Sequence, residues 1–271
     1  MANTQLQSFV EGADSGPTIV FVHGWPDDHT LFYKQVAHLK DRYRCVTTDL
    51  PGFGGENASK WGQSVGDITT RLEKTIEAVG NGKPVLLVAH DWGCFFAFML
   101  EKKRPDLVHQ LVALDIGGGM SIWPLLNTLL VVMYQAYLIC AFLAGGPIGN
   151  VMASLFCRFG GSSPASANAG RSSVGYLYFQ FWKALITGMD MGPFLPRCPV
   201  LFMYGTSGLK RFLVSLQHRQ RVFKWDTVFW KRSQSDFPSK YRLLLARTRK
   251  ELKSVGVIHE LSKTTAMFIP C

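Results

Sequence analysis

The residue best equipped for chemistry is Asp91. It stands in Val88-Ala89-His90-Asp91-Trp92-Gly93, where an apolar run gives way to a turn and then to an apolar helical stretch. The pattern is small–x–nucleophile–x–small. Ala89 and Gly93 leave room for a strained bend that lifts the central side chain over the end of a sheet. The commoner version of this elbow carries serine; here the central group is a carboxylate. A carboxylate can attack carbon and form an ester, splitting one hard displacement into two easier steps. The competing reading is an aspartate that merely caps the following helix.

A second constellation is His23-Gly24-Trp25-Pro26-Asp27, directly after the apolar run Pro17–Val22. A loop in this position would lie beside the elbow and offer backbone N–H groups. The amide of Trp25 with that of Trp92 could form an oxyanion hole for a tetrahedral intermediate. The alternative is an ordinary strand-to-helix turn. Pro26 restricts the turn, His23 reads better as a structural loop histidine than as an acid or base, and Asp27 and Asp28 are expected to cap the helix that follows.

These residues need a frame, and the chain supplies one. Short apolar runs at Pro17–Val22, Arg44–Thr48, Val85–Ala89, Leu111–Leu114 and Val200–Tyr204 alternate with helical stretches. One helix is amphipathic from Gln63 to Val79, with Ile68, Leu72, Ile76 and Val79 on one face, and another is apolar near Cys94–Lys102. Continuous apolar strands alternating with helices imply a parallel sheet covered on both faces. Each run ends at a polar or Gly-rich turn: His23-Gly24, Asp49, Asp91, Asp115 and Gly205. In such sheets, sites lie just beyond the carboxyl ends of the strands.

HGWPD (23–27), DLPGFG (49–54) and AHDWG (89–93), in this order, resemble the α/β-hydrolase superfamily. HGWP combined with HDWG resembles its epoxide hydrolase and haloalkane dehalogenase branch. The resemblance covers roughly residues 8–206. It implies an α/β-hydrolase fold, a mostly parallel sheet with helices on both faces and a helical cap insertion. The expected core is 1–119 with 197–271, and the expected cap 120–196.

The resemblance also implies roles. Asp91 becomes the nucleophile, Trp25 and Trp92 (with His23 and Gly24 in the same loop) bind the oxyanion and substrate, and the Trp92 side chain lines the pocket. Epoxide hydrolases of this branch protonate the opening oxygen with cap tyrosines. Tyr176 and Tyr178, in Val174-Gly175-Tyr176-Leu177-Tyr178-Phe179, match that place, with an aromatic core stripe as the other reading; Tyr134 and Tyr137 are weaker candidates. Asp115, 24 residues beyond Asp91, suits the relay acid, or else a strand-end cap on the Gly117–Gly119 turn. The reaction expected is epoxide opening through an aspartyl ester. Dehalogenation is the chemical runner-up, and a family member without its base, binding a lipid or a partner, is the non-enzymatic one. No metal or organic cofactor is implied.

The pattern breaks after Gly205. The family places its base histidine in a Gly-His-Trp-like loop near the C-terminus, and no such loop is present. His218 lies in the basic run Gln217–Arg221, and His259 follows Val255-Gly256-Val257-Ile258, so His259 is the remaining candidate base. Charge changes at the same point. Residues 1–205 carry 15 basic and 15 acidic residues, whereas 206–271 carry 14 and 4, the whole of the net +10. An altered C-terminus, from a retained intron, frameshift or alternative exon, is the expectation; an arm for acidic partners is the alternative.

The 271 residues are 47% hydrophobic and 18% charged, which excludes a disordered chain. With no nucleic-acid module, an apolar small molecule is the expected partner rather than nucleic acid; oligomeric state cannot be read. Six cysteines without metal or CxxC spacing read as reduced packing residues, and MANTQLQSFV does not read as a secretory signal, which makes the cytoplasm the default. Residues 116–157 hold no charge, and 122–144 is long enough to span a bilayer. Pro124, Asn127 and Gln135 interrupt it, so apolar cap helices are favoured, with membrane-surface association as the alternative.

Overall fold

A computed structural model describes residues 4–54, 59–116, 125–160, 168–190 and 196–203. Six strands form one sheet in the order β1-β3-β2-β4-β5-β6. They are β1 (Gln7–Gly12), β2 (Thr18–Val22), β3 (Arg44–Asp49), β4 (Val85–His90), β5 (Val108–Leu114) and β6 (Val200–Met203). β1 pairs antiparallel with β3, and every other pairing is parallel. The five apolar runs of the sequence are the five parallel strands. β1 lacks such a run because it is an edge strand with mostly exposed side chains, so burial leaves little mark on its sequence.

The parallel strands are buried on both faces. Ile19, Phe21, Leu86, Val88, Val112 and Leu114 pack with Phe32, Val36 and Leu39, the last two in α1 (Tyr33–Leu39). Val20, Val22, Leu87, Ala89, Leu111 and Ala113 face the other way, against α2 (Val65–Gly80) and α3 (Trp92–Lys103). This two-residue alternation turns a continuous apolar run into two cores. Ser64 caps α2 by accepting the Asp67 N–H, and Val65, Ile68, Leu72, Ile76 and Val79 are its buried stripe. Leu72 is fully buried, and its truncation to alanine costs about 2–5 kcal/mol.

Between β5 and β6 stand α4 (Leu125–Ala144), α5 (Gly146–Gly160) and α6 (Tyr176–Ile186), the last preceded by a 3-10 turn at Ser172–Gly175. α4 packs on α5, α6 and that turn. Among the described residues no helix is long and apolar enough to cross a membrane. Cys45, Cys94, Cys157 and Cys198 are buried free thiols, and Cys140 is an exposed one.

Candidate active site

The β4–α3 bend is the strained turn that its small residues predict. Asp91 has φ 49° and ψ −119°, a positive-φ conformation rarely adopted by a residue with a side chain. Its N–H bonds to the Leu114 carbonyl at 3.3 Å, and its carbonyl accepts the Cys94 N–H at 2.9 Å as α3 begins. The Asp91 side chain makes no cap bond to α3. At Gly93 any Cβ would collide with the Val22 carbonyl oxygen, so only glycine lets α3 start this close to β2.

The loop after β2 closes on the same carboxylate. The Trp25 N–H donates to Asp91 Oδ2 at 3.0 Å. A Cβ on Gly24 would lie 2.5 Å from Asp91 Cβ and 2.7 Å from Oδ2, so the approach requires glycine. The Trp25–Pro26 peptide is cis. The turn continues with Asp27 N–H bonded to Gly24 O at 3.0 Å. Asp28, not Asp27, is the cap: it accepts the Thr30 N–H at 3.0 Å at the start of a 3-10 turn, His29–Phe32, that leads into α1.

His23 holds this loop from behind. It is fully buried; Nε2 accepts the Leu50 N–H at 2.9 Å, and Nδ1–H faces the Gly24 carbonyl at 2.8 Å. Burial pushes its pKa down to about 4, so the ring is neutral at neutral pH with a fixed tautomer. Asp49 at the end of β3 is buried too and accepts His29 N–H at 2.7 Å and His29 Nδ1–H at 2.8 Å. Burial raises its pKa, and the bonds from His29 oppose that. Leu50 thereby ties the DLPGFG turn to the HGWPD loop, and Asp49 ties it to the 3-10 turn that follows the loop.

Over Asp91 lies an aromatic cluster drawn from both layers. The Trp92 ring meets Tyr178, Phe95 and Phe181 edge-on at 5.1, 5.6 and 5.5 Å between centroids. Trp25 meets Tyr178 and Phe156 at 5.8 and 5.7 Å. Tyr178 sits at the centre, 6.1 Å from the Tyr134 ring. Burial first, then Tyr134 and the charge of Asp91, hold the Tyr178 phenol well above its usual pKa, and a bond from the Trp92 side chain partly offsets this. Burial and Asp91 also push Tyr134 up to about 12. Both phenols therefore feel the same carboxylate and stay protonated. A half-buried carboxylate held by a backbone N–H below two neutral O–H groups can attack an electrophilic carbon while a phenol donates to the departing oxygen.

The two insertion tyrosines of the α6 motif differ. The Tyr176 hydroxyl donates to the Pro51 carbonyl at 2.8 Å, and its ring packs on Phe53 and against Gly62. It fastens α6 to the DLPGFG turn. Tyr134, the weaker candidate by sequence, faces Tyr178 instead, whereas Tyr137 donates to Met152 O at 3.0 Å. No spacing rule joins Tyr134 to Tyr178, because α4 and α6 meet only through packing.

Asp115 ends β5 with φ 68°. Its Oδ2 lies 3.2 Å from Nε2 of His90, whose Nδ1 stands 3.8 Å from Asp27 Oδ2. His90 is the member of this group that the motifs did not single out. Strand register brings it there: His90 pairs with Leu114 on β5, one residue before Asp115. His259, like His218 and all of 204–271, lies outside the described residues.

A family model for the α/β-hydrolase fold matches residues 17–135. The chain has the α/β-hydrolase fold. Over 118 residues it is 31% identical to epoxide hydrolase 1 of Caenorhabditis elegans, a stretch that is 43% of this chain and 29% of the relative. It is 33% identical over 116 residues to a haloalkane dehalogenase of Mesorhizobium japonicum, covering 43% of this chain and 37% of that enzyme. The chain thus spans well under half the length of the curated relatives it matches. Among solved structures, a point mutant of epoxide hydrolase from Solanum tuberosum superposes with a TM-score of 0.56 at 21% identity, covering 76% of this chain and 80% of the other.

Proposed function

We propose that this α/β-hydrolase opens an epoxide, or a similar carbon–heteroatom bond, through an ester on Asp91. The observation that carries the reading is the Asp91 carboxylate, held at φ 49° with Oδ2 on the Trp25 N–H and two protonated phenols within reach of its charge. With Oδ2 so bound, the other oxygen attacks the epoxide carbon. The C–O bond breaks, and Tyr178 or Tyr134 gives its proton to the leaving oxygen. Water then attacks the ester carbonyl carbon, and the Trp25 amide, with that of Trp92, stabilises the oxyanion. The products are a diol and free carboxylate: one proton of the water goes to the oxygen released from the ester and the other returns the tyrosine to its phenol. Tyr176 is left as the strut that holds the cap. Asp115 orients the base that activates water, with His259 as the base and His90 as a neighbour that keeps Asp115 in place. The aromatic lining selects an apolar substrate.

Dehalogenation is the second reading, and one observation favours it. Among the described residues the buried Trp25 indole Nε1 has no hydrogen-bond partner. An orphaned donor on a ring packed against Tyr178 suits a departing halide as well as an oxygen. A catalytically impaired member that only binds its ligand is the outcome if the base is absent.

Intact mass after incubation with an aryl epoxide distinguishes these readings. A stable adduct that maps to Asp91 and disappears in Asp91→Asn supports attack without release. Diol formation in heavy-oxygen water, with label entering the Asp91 carboxylate, supports the full cycle. Halide release from a haloalkane panel supports the second reading. No adduct, diol or halide with any substrate overturns the catalytic reading and leaves the fold.

A further inference from the structure

We propose that a cavity at the seam between the helical insertion and the sheet core binds a small organic phosphate monoester. Its volume is about 410 Å³, enough for a compact ligand. The insertion walls it with the junction of α4 and α5 at Gly145 and Gly146, and with the 3-10 turn at Ser172 and the Arg171 before it. Lys60 and Trp61, from the chain leading into α2, close the other side. Phe179, the neighbour of Tyr178 on α6, packs on Trp61 and Phe142 at 5.9 and 5.6 Å between centroids. A different face of α6 from the one over Asp91 therefore backs the cavity, which shares no residue with the aromatic cluster there.

The charge lies on the cavity wall itself. None of its lining residues is acidic, and Lys60 and Arg171 are cations. Buried polar groups hold the donors in place. Arg171 Nη1 donates to Asn168 Oδ1 at 2.7 Å, and Asn168 is 1% exposed, with its amide donating to the Asp27 carbonyl at 3.3 Å. Ser172, also buried, gives its N–H and its O–H to Asn150 Oδ1, each at 2.9 Å. That commits the oxygen of the Asn150 amide and leaves its NH2 end as the donor at the cavity. Gly145 and Gly146 have φ 59° and 50°, and a Cβ on Gly146 would meet nothing within 4 Å, so the start of α5 is open to an approaching anion. Donors fixed in advance around a cavity without a carboxylate select an anion. A phosphate monoester brings about two negative charges and three acceptor oxygens, which matches two cations, an amide and a helix start better than a carboxylate does. Trp61, half exposed, and Phe142 offer rings to the apolar group of the ester.

The test is isothermal titration calorimetry of the full chain with phenyl phosphate, inorganic phosphate, benzoate and phenol. Phenyl phosphate should bind tightest, inorganic phosphate and benzoate more weakly, and phenol not measurably. Lys60→Gln and Arg171→Gln should each weaken phenyl phosphate about tenfold, the loss of one charge-assisted contact. Trp61→Ala should weaken phenyl phosphate while leaving inorganic phosphate within about twofold. Lys60 is exposed, so Lys60→Gln should keep the parent melting temperature and still decides the matter if Arg171→Gln fails to fold. The 14 basic residues of 206–271 are the competing anion sink, and neither substitution touches them. Asp91→Asn should leave the affinity within about twofold, which separates this cavity from the catalytic one. Four results overturn the proposal: no binding of phenyl phosphate, binding no tighter than that of inorganic phosphate or benzoate, binding that the Lys60 and Arg171 variants leave within about twofold, or binding that Asp91→Asn changes by more than that.

Discussion

Replacing Gly24 with alanine tests the site at one atom. The new Cβ would stand 2.5 Å from Asp91 Cβ, 2.7 Å from Oδ2 and 2.7 Å from the His90 carbonyl oxygen. Two of these cannot swing aside: the position of Asp91 Cβ is set by a backbone held at φ 49°, and the carbonyl is backbone, so only Oδ2 can turn away, and that breaks its bond. The loop must retreat by several tenths of an ångström, and the 3.0 Å bond from Trp25 N–H to Oδ2 opens. Overpacking of this kind costs about 1–3 kcal/mol of stability. Loss of one oxyanion donor costs about 10²–10³ in the rate of the step it serves. Single-turnover mass spectrometry with an aryl epoxide separates the steps. The aspartyl ester should form more slowly in Gly24→Ala, and its hydrolysis should slow by about 10²–10³. Gly66→Ala is the control, since its Cβ would meet nothing nearer than Ser64 Oγ at 3.9 Å inside α2; it should keep the parent rates and gain about 0.5–1 kcal/mol. Ester hydrolysis in Gly24→Ala within about threefold of the parent would refute the assignment of the Trp25 amide.

Tyr178→Phe should slow ring opening by about 10²–10⁴, whereas Tyr176→Phe should lose about 1 kcal/mol of stability in urea titrations and little rate. Asp115→Asn should leave ester formation within about threefold and slow its hydrolysis by about 10²–10⁴, so the adduct accumulates in intact mass spectra. His23, with a folded pKa of about 4 against an ordinary 6.5, binds fewer protons folded than unfolded in that window. Stability should therefore fall as pH drops from about 6.5 toward 4, by about 2 kcal/mol at pH 5 relative to pH 7.5. His23→Gln should flatten that dependence in urea midpoints, and an unchanged slope would contradict the burial of a neutral ring.

Much of the scaffold was legible because its signals are local. A strand buried on both faces must be apolar throughout, so Val85–Ala89 reads as a parallel strand before any contact is known. The elbow is legible for the same reason: Gly93 and Asp91 report a steric conflict within one turn and one neighbouring strand. β1 was missed because an exposed edge imposes no composition. His90 was passed over beside the more reactive Asp91, although its contact with Asp115 joins the ends of two strands.

By itself the sequence determined a parallel sheet, a strained carboxylate at a strand end and a glycine loop beside it, since backbone sterics and burial act over a few residues. Tertiary structure decided which phenols meet that carboxylate. Tyr176 and Tyr178 are two positions apart on one helix, yet one hydroxyl is taken by Pro51 and the other ring faces Tyr134 from α4. Helix packing, not spacing, sets which side of α6 faces the sheet and which faces α4, and long-range packing leaves no periodic trace in the chain.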